Sequence, residues 1–352
     1  MTSTSLPPVL LLTNDNERKW IQAILSEKFG KALKQKFPSV CIKFIDAETD
    51  PEERKKHLEE AEILVAKPLD FVDIVDNVPN LKWIHFIFAG YEPFTNHIKK
   101  TRKVPHYKVT RQGGTLGVAM AEYVLAHIIA KERKFEEMRE DEKVRNWRDN
   151  YFSQFRVLSQ LTIGIAGAGD IGCEVARLCK AFGMRTIGLT KTPRSQETRS
   201  EYIDEYRLSS DLPYMLAQSD VICNLLPSLP ETNNFFHEDA FQHCTKKPLF
   251  INIGRGNCVK ESTIIKALEK GWLSYVVLDV TDPEPLTKDS LLWNIPEVII
   301  TPHVSGFVPE ILMGEVFARN YQKFIKGESL EYEVDFTKLI DKLKVQNGAK
   351  ET

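Results

Sequence analysis

Leu161-Thr-Ile-Gly-Ile-Ala-Gly-Ala-Gly-Asp-Ile-Gly172 is the stretch around which the chain is organised. Its first half, Leu161 to Ala166, is a short apolar run with β-branched Thr162, Ile163 and Ile165, suited to a strand buried on both faces. Gly167, Gly169 and Gly172 follow in the spacing G-x-G-x-x-G, and apolar residues then recur at helical intervals from Ile171 to Phe182 (Ile171, Val175, Leu178, Cys179, Phe182). A strand, a glycine turn and a helix start make a phosphate cradle. Gly167 permits the tight turn, Gly169 lets backbone approach a pyrophosphate, and Gly172 lets helix and strand pack closely. The helix N-terminus, with Asp170 and Ile171 in its first turn, presents free N–H groups and a partial positive charge to the anion. Dinucleotide binding is the expectation.

Working outward, the 352 residues give room for two domains with sizeable cores, and 42% hydrophobic with 27% charged residues are ordinary globular values. A net charge of −2 argues against a nucleic-acid partner, which favours a basic excess. The one small basic run, Lys99, Lys100, Arg102 and Lys103, reads as a solvated turn. No apolar stretch reaches the ~18 residues a membrane span needs, and Met1 to Pro8 lacks the n- and h-regions of a secretory signal. Cys41, Cys173, Cys179, Cys223, Cys244 and Cys258 lie among apolar segments without zinc spacing. They read as buried free thiols of a reducing cytoplasm, and no metal site is expected.

Along the chain, Val9–Thr13 reads as a strand, Arg18–Lys36 as a helix, Val40–Ile45 as a strand and Pro51–Glu60 as an exposed helix. Further strands are expected at Ile63–Ala66, Leu81–Phe88 and near Val109. Alternating strands and helices imply a parallel sheet covered on both faces. One strand runs into Phe88-Ala89-Gly90, a small-residue turn at a carboxyl edge, where open α/β sheets bind ligands. Gly113, Gly114 and Gly117 suggest a hinge, followed by one long helix from Val118 to Arg145. From Leu161 the strands recur at Leu161–Ala166, Arg185–Leu189, Asp220–Leu226, Leu249–Ile253, Ser274–Val280 and Val298–Thr301, as in a doubly wound dinucleotide fold. A last amphipathic helix, Phe307 to Lys326, is expected to return to the first unit. The organisation is therefore read as residues 118–306 for the dinucleotide and residues 1–117 with 307–352 for the substrate, with a polar tail from Lys338 to Thr352.

Three chemical groups fall at strand ends of the second unit. Asn252-Ile253-Gly254-Arg255-Gly256 ends one strand, Asp279 ends the next with Glu284 shortly after it, and Thr301-Pro302-His303 ends the last. Guanidinium, carboxylate and imidazole beside a dinucleotide are what carbonyl reduction needs. Hydride addition builds negative charge on oxygen, His303 is the natural proton donor, and general acid help is worth ~10²–10⁴ in rate. Glu284 would orient the ring and stabilise the imidazolium, and Arg255 offers a fork to a substrate carboxylate. Each of these residues also has a purely structural explanation; their co-location favours the chemical one.

At these residues the sequence resembles the D-isomer-specific 2-hydroxyacid dehydrogenase family. The matching segments are Gly167–Gly172, Asn252 to Val259, Leu278-Asp279-Val280 with Glu284-Pro285-Leu286, Leu291 to Val298 and Ile300 to Val304, in family order. The first unit resembles the family's substrate domain mainly through Phe88-Ala89-Gly90. The resemblance implies a Rossmann-type domain plus a smaller flavodoxin-like domain built from both chain ends, and a homodimer. It implies Arg255 as the substrate-orienting residue, Glu284 as the partner of His303, and His303 as acid/base. It also implies Asp279 near the nicotinamide carboxamide, Leu226, Pro227, Ile253 and Gly254 along the cofactor, and the backbone of Phe88–Gly90 on the substrate carboxylate. Within the family the likeness is nearest to glyoxylate/hydroxypyruvate reductases of the A type, through Leu161–Gly167, Asn224-Leu-Leu-Pro227 and Glu284–Leu286.

One departure bears on the cofactor. The carboxylate that holds a ribose 2′-OH belongs about 20 residues after the glycines, but that strand end reads Leu189-Thr190-Lys191-Thr192-Pro193-Arg194. Thr190, Lys191 and Arg194 could instead hold a 2′-phosphate, or Lys191 and Arg194 are ordinary surface charges. NADP(H) is the preferred expectation with NAD(H) open, and the substrate is a small 2-oxo or 2-hydroxy acid. Lys67, at the end of the third strand, could reach an anionic substrate. The alternatives are NAD-linked oxidation of a D-2-hydroxy acid, or a dinucleotide-responsive scaffold like the family's corepressors.

Overall fold

The structure, a computed structural model, describes residues 6–13, 29–307 and 310–337. The chain divides into two compact units, Met1–Thr115 with Val308–Thr352, and Leu116–Phe307.

The first unit holds β1 (Val9–Leu12), α1 (Gly30–Lys36), β2 (Ile42–Ile45), α2 (Pro51–Glu60), β3 (Ile63–Ala66), α3 (Pro68–Val72), β4 (Trp83–Phe86), α4 (Glu92–Thr101) and β5 (Lys108–Arg111). Only part of the helix expected over Arg18–Lys36 falls among the described residues. The sheet order is β2-β1-β3-β4-β5, all parallel, which is the flavodoxin-like arrangement. Strands β1, β3 and β4 are buried along their whole length, as the unbroken apolar sequences of β1 and β3 require of strands covered on both faces. His85 is fully buried, hydrogen-bonded to Thr110 Oγ1 and Gln112 Oε1, and burial pushes it down to about 4. It is a neutral core histidine.

The second unit contains α5 (Leu116–Glu132), α6 (Phe135–Lys143), α7 (Asp149–Phe152), β6 (Thr162–Ala166), α8 (Asp170–Ala181), β7 (Arg185–Thr190), β8 (Glu205–Leu208), α9 (Leu212–Gln218), β9 (Val221–Asn224), β10 (Leu249–Asn252), α10 (Glu261–Glu269), β11 (Tyr275–Leu278) and β12 (Val298–Ile300). Its seven strands run β12-β11-β10-β9-β6-β7-β8, all parallel. Helices α5 and α8 pack on one face and α9 and α10 on the other. From β6 the chain winds to β7 and β8, then returns to place β9 on β6's other side. That reversal opens the ligand crevice of a doubly wound sheet. Helix α11 (Glu310–Ile325) belongs to the first unit, where Phe317 stacks on Trp83 with ring centroids 4.8 Å apart.

Several sequence expectations change. The helix read as continuous from Val118 to Arg145 breaks at Lys134, whose φ is +55°. Cation–π contacts accompany the turn: the Arg133 guanidinium lies 4.2 Å from the Phe155 ring centroid and Lys134 Nζ 3.7 Å from that of Tyr151. Gly117 is no hinge but a packing position in the first turn of α5, where a Cβ would stand 3.0 Å from Glu174 Cβ. Strand β8, absent from the sequence reading, forms the exposed edge of the sheet. Its Glu205-Tyr-Arg-Leu208 carries ion pairs from Arg185 and Arg207 to Glu205 instead of an apolar run. All six cysteines are free, but Cys41 is exposed and Cys173 half-buried, so only four fit the expectation of burial. The last helix is described over Glu310–Ile325, with Phe307 outside it, and the tail from Lys338 lies outside the described residues.

Candidate active site

Strand register gathers the site. Ala166 of β6 stands level with Asn224 of β9, Asn224 with Asn252 of β10, Asn252 with Leu278 of β11, and Leu278 with Ile300 of β12. Gly167, Leu225, Ile253, Asp279 and Thr301 therefore leave the sheet at one carboxyl edge.

The glycine turn has the shape of a phosphate cradle. Gly167 has φ +103°, open to glycine at little cost. A Cβ on Gly172 would lie 2.3 Å from the Gly167 carbonyl oxygen, so only glycine lets α8 start this close to the turn. A Cβ on Gly169 would meet nothing within 4 Å. Its backbone faces open space at the N-terminus of α8, where Asp170 and Ile171 begin the helix. The cradle thus fits an anionic group.

Beside it, two fully buried asparagines tie the next turns. Asn224 Nδ2 donates to Asn252 Oδ1 at 2.9 Å, and the Leu226 and Gly254 N–H groups donate back to Asn224 Oδ1 and Asn252 Oδ1, each at 3.2 Å. This fixes the Leu226–Pro227 and Ile253–Gly254 turns that flank the cradle. Asn252 Nδ2 also donates to the Arg255 carbonyl at 3.2 Å. Gly256 must be glycine, because a Cβ would sit 2.0 Å from the Thr281 carbonyl oxygen. Arg255, held by that backbone, is half-buried, and its Nη1 donates to the Gly254 carbonyl at 2.8 Å.

Asp279 is almost fully buried and organises the loop that carries His303. Its Oδ1 accepts from Thr301 Oγ1 at 2.5 Å and from Val304 N–H at 2.8 Å, and its Oδ2 accepts from Ser305 N–H at 2.9 Å. The His303 N–H donates to the Asp279 carbonyl at 2.9 Å, and His303 itself has φ +55°. His303 Nδ1 meets Glu284 Oε1 at 2.6 Å, and both side chains remain about half exposed. One ring nitrogen of His303 is therefore paired with a carboxylate.

The end of β7 and the residues directly after it, Lys191-Thr192-Pro193-Arg194, carry no carboxylate, as the sequence indicated. Arg194 Nη2 lies 3.4 Å from the Ala168 carbonyl of the glycine turn. Lys191 forms an ion pair with Glu231, from the segment after β9. Thr190 is buried and commits its hydroxyl to the Thr192 carbonyl at 2.9 Å.

Phe88, Ala89 and Gly90 follow β4 in the first unit, half-buried at the carboxyl edge of that sheet. Lys67 emerges beside them, because Ala66 of β3 stands level with Phe86 of β4. Asn224, Asn252 and Thr301 stand in the motifs quoted from the sequence but were given no role there, and Glu231 was not singled out. For the asparagines the available signal was an amide at the last position of two apolar strands. Among the described residues no cluster of His, Cys, Asp or Glu could hold a metal ion, and no helix is long and apolar enough to cross a membrane.

The family model described as D-isomer specific 2-hydroxyacid dehydrogenase, NAD binding domain, matches residues 125–305. The glyoxylate reductase of Pyrococcus horikoshii is 28% identical over 320 residues, covering 84% of this chain and 92% of that protein. A D-isomer specific 2-hydroxyacid dehydrogenase family protein from Aeromonas salmonicida superimposes with a TM-score of 0.77 at 32% identity, over 94% of this chain and 99% of that one. The NADPH-dependent glyoxylate/hydroxypyruvate reductase of Sinorhizobium meliloti, solved with NADP and sulfate, gives a TM-score of 0.75 at 26% identity, over 94% and 98% of the two chains. This chain therefore belongs to the D-isomer specific 2-hydroxyacid dehydrogenase family and is an oxidoreductase that takes a nicotinamide dinucleotide.

Proposed function

We propose that the protein reduces small 2-oxo acids of the glyoxylate and hydroxypyruvate kind to D-2-hydroxy acids, with NADPH as the preferred donor. The observation that carries this reading is the 2.6 Å contact between His303 Nδ1 and Glu284 at the carboxyl edge that also bears the glycine cradle and the Arg255 turn.

The bound dinucleotide supplies the hydride. Gly167, Gly169, Asp170, Ile171 and Gly172 hold its pyrophosphate through backbone N–H groups and the start of α8. Leu226, Pro227, Ile253 and Gly254 would line the dinucleotide, and Asp279 would lie toward its nicotinamide end. His303 Nε2 gives a proton to the substrate oxygen as charge builds there, while Glu284 holds Nδ1 and balances the imidazolium. Arg255 presents its fork to the substrate carboxylate and to the developing oxyanion. Lys191, Arg194 and Thr190 form the 2′-phosphate subsite, with Lys191 exchanging the Glu231 carboxylate for the phosphate.

Absorbance loss of NADPH and NADH, followed separately with glyoxylate and hydroxypyruvate, tests the activity and the cofactor together. Turnover favouring NADPH is expected. Turnover favouring NADH keeps the catalytic residues and removes the phosphate subsite, and tight dinucleotide binding without turnover favours the scaffold alternative. Lys191→Ala combined with Arg194→Ala should weaken NADPH about 10–100-fold, as loss of one or two charge-assisted bonds implies, and NADH by less than about threefold. Equal effects on both cofactors sink the subsite.

The reading includes a homodimer, carried by the segment after α5. Phe135, Val144, Trp147, Tyr151, Phe155 and Val157 are all exposed on one protomer, Trp147 at 89%. Exposed large apolar side chains concentrated in one short segment are what a subunit interface covers. Trp147→Asp should raise the dimer dissociation constant at least about 30-fold in sedimentation experiments. An unchanged dimer would place the interface elsewhere.

A further inference from the structure

Beneath the His303 loop, two hydroxyls connect it to helix α5. Tyr123 Oη lies 2.7 Å from Thr301 Oγ1, and Thr301 Oγ1 lies 2.5 Å from Asp279 Oδ1. An ionised carboxylate only accepts, so Thr301 donates to Asp279 and receives the Tyr123 proton on its own oxygen. The chain runs in one direction: Tyr123 to Thr301 to Asp279. Burial pushes the Tyr123 phenol up to about 12, so it keeps the proton this arrangement needs. The Tyr123 ring is itself fixed one helical turn on, where its centroid lies 4.4 Å from that of His127.

The loop above needs such support. His303 occupies the left-handed region at φ +55°, a conformation that a non-glycine residue keeps only when surrounding contacts impose it. Those contacts converge on Asp279, which takes the Val304 and Ser305 N–H groups on its carboxylate and the His303 N–H on its carbonyl. Thr301 is the one side chain in this set, and Tyr123 sets its rotamer.

We propose that Tyr123 and Thr301 are positioning residues, which hold the Asp279 carboxylate and through it the His303 loop in the geometry for proton transfer. The proposal rests on the reading of His303 as proton donor given above. A slip of about 1 Å at a reacting group can cost ~10²-fold in rate, so modest loosening is enough to register in turnover.

The test uses the full-length protein carrying Thr301→Val, Thr301→Ser, Tyr123→Phe, the Tyr123→Phe/Thr301→Val pair, and His303→Asn. Reduction of glyoxylate gives kcat and KM, fluorescence titration gives dinucleotide affinity, and thermal melting reports the fold. Thr301→Val should lower kcat about 10-fold or more with dinucleotide affinity unchanged. Thr301→Ser, which keeps the hydroxyl, should restore kcat to within about threefold, and Tyr123→Phe should lower it about 3–10-fold. Because the two hydroxyls act in series, the double variant should fall little below Thr301→Val alone. Normal kcat in both Thr301→Val and Tyr123→Phe overturns the proposal while leaving His303 in place. So does a loss of dinucleotide affinity in step with kcat, which marks a merely structural role. Near-normal kcat in His303→Asn overturns the underlying reading, and this proposal with it.

Discussion

His303→Asn is expected to lower turnover by about 10²–10⁴-fold while leaving dinucleotide affinity within about twofold. The replacement is chosen for the backbone. His303 has φ +55°, and asparagine is among the side chains that enter the left-handed region most readily, so strain adds little to the loss. The loop's hydrogen bonds come from the backbone N–H groups of residues 303, 304 and 305 and survive the change. What disappears is an ionisable ring poised on Glu284 at 2.6 Å. An amide cannot deliver a proton to a forming alkoxide. The glycine cradle lies on β6 and α8, so dinucleotide affinity should be spared. Single-turnover reduction of glyoxylate alongside a fluorescence titration separates the two quantities. Turnover within a fewfold of the parent would remove His303 from the chemistry.

Arg255→Lys should lower kcat/KM by about 10²–10³-fold, on the scale of losing one donor aimed at a developing oxyanion. Charge is conserved, so the loss isolates the planar fork that engages a carboxylate in two parallel bonds. Its effect should divide, with KM rising through weaker substrate orientation and kcat falling through weaker stabilisation of the oxyanion. The turn itself should persist, because Asn252 binds the Arg255 carbonyl and Gly256 makes the close approach to Thr281. Steady-state kinetics with glyoxylate checks it; a change confined to kcat, with KM untouched, would take the substrate carboxylate away from Arg255.

The glycine stretch, the alternation of apolar strands with helices and the strand-end residues were legible because each is a local pattern. An apolar β-branched run followed by G-x-G-x-x-G leaves few conformations open: Gly167 takes the positive φ of a tight turn, Gly172 lets α8 start against it, and Gly169 faces open space. The approximate positions of strands β6, β7, β9, β10, β11 and β12 followed from hydrophobic runs that only a doubly covered sheet can bury. Strand β8 escaped because an edge strand needs no apolar run, and Glu205 and Arg207 suit its exposed position.

Local sequence by itself therefore determined the class of fold, the glycine turn and which side chains stand at the strand ends. Tertiary structure alone decided how they are held. At the break at Lys134 the side chains meet rings at Tyr151 and Phe155, well separated in sequence, and neither proline nor glycine stands there to announce it. Asp279 looks like any acid after a strand until the Thr301, Val304 and Ser305 donors close around it. Tyr123 is one more amphipathic-helix residue until a partner 178 positions away comes within 2.7 Å. Hydrophobic periodicity is written residue by residue, because burial is a property each side chain carries with it. A hydrogen bond belongs to two groups at once, and only the folded chain brings the second one into reach.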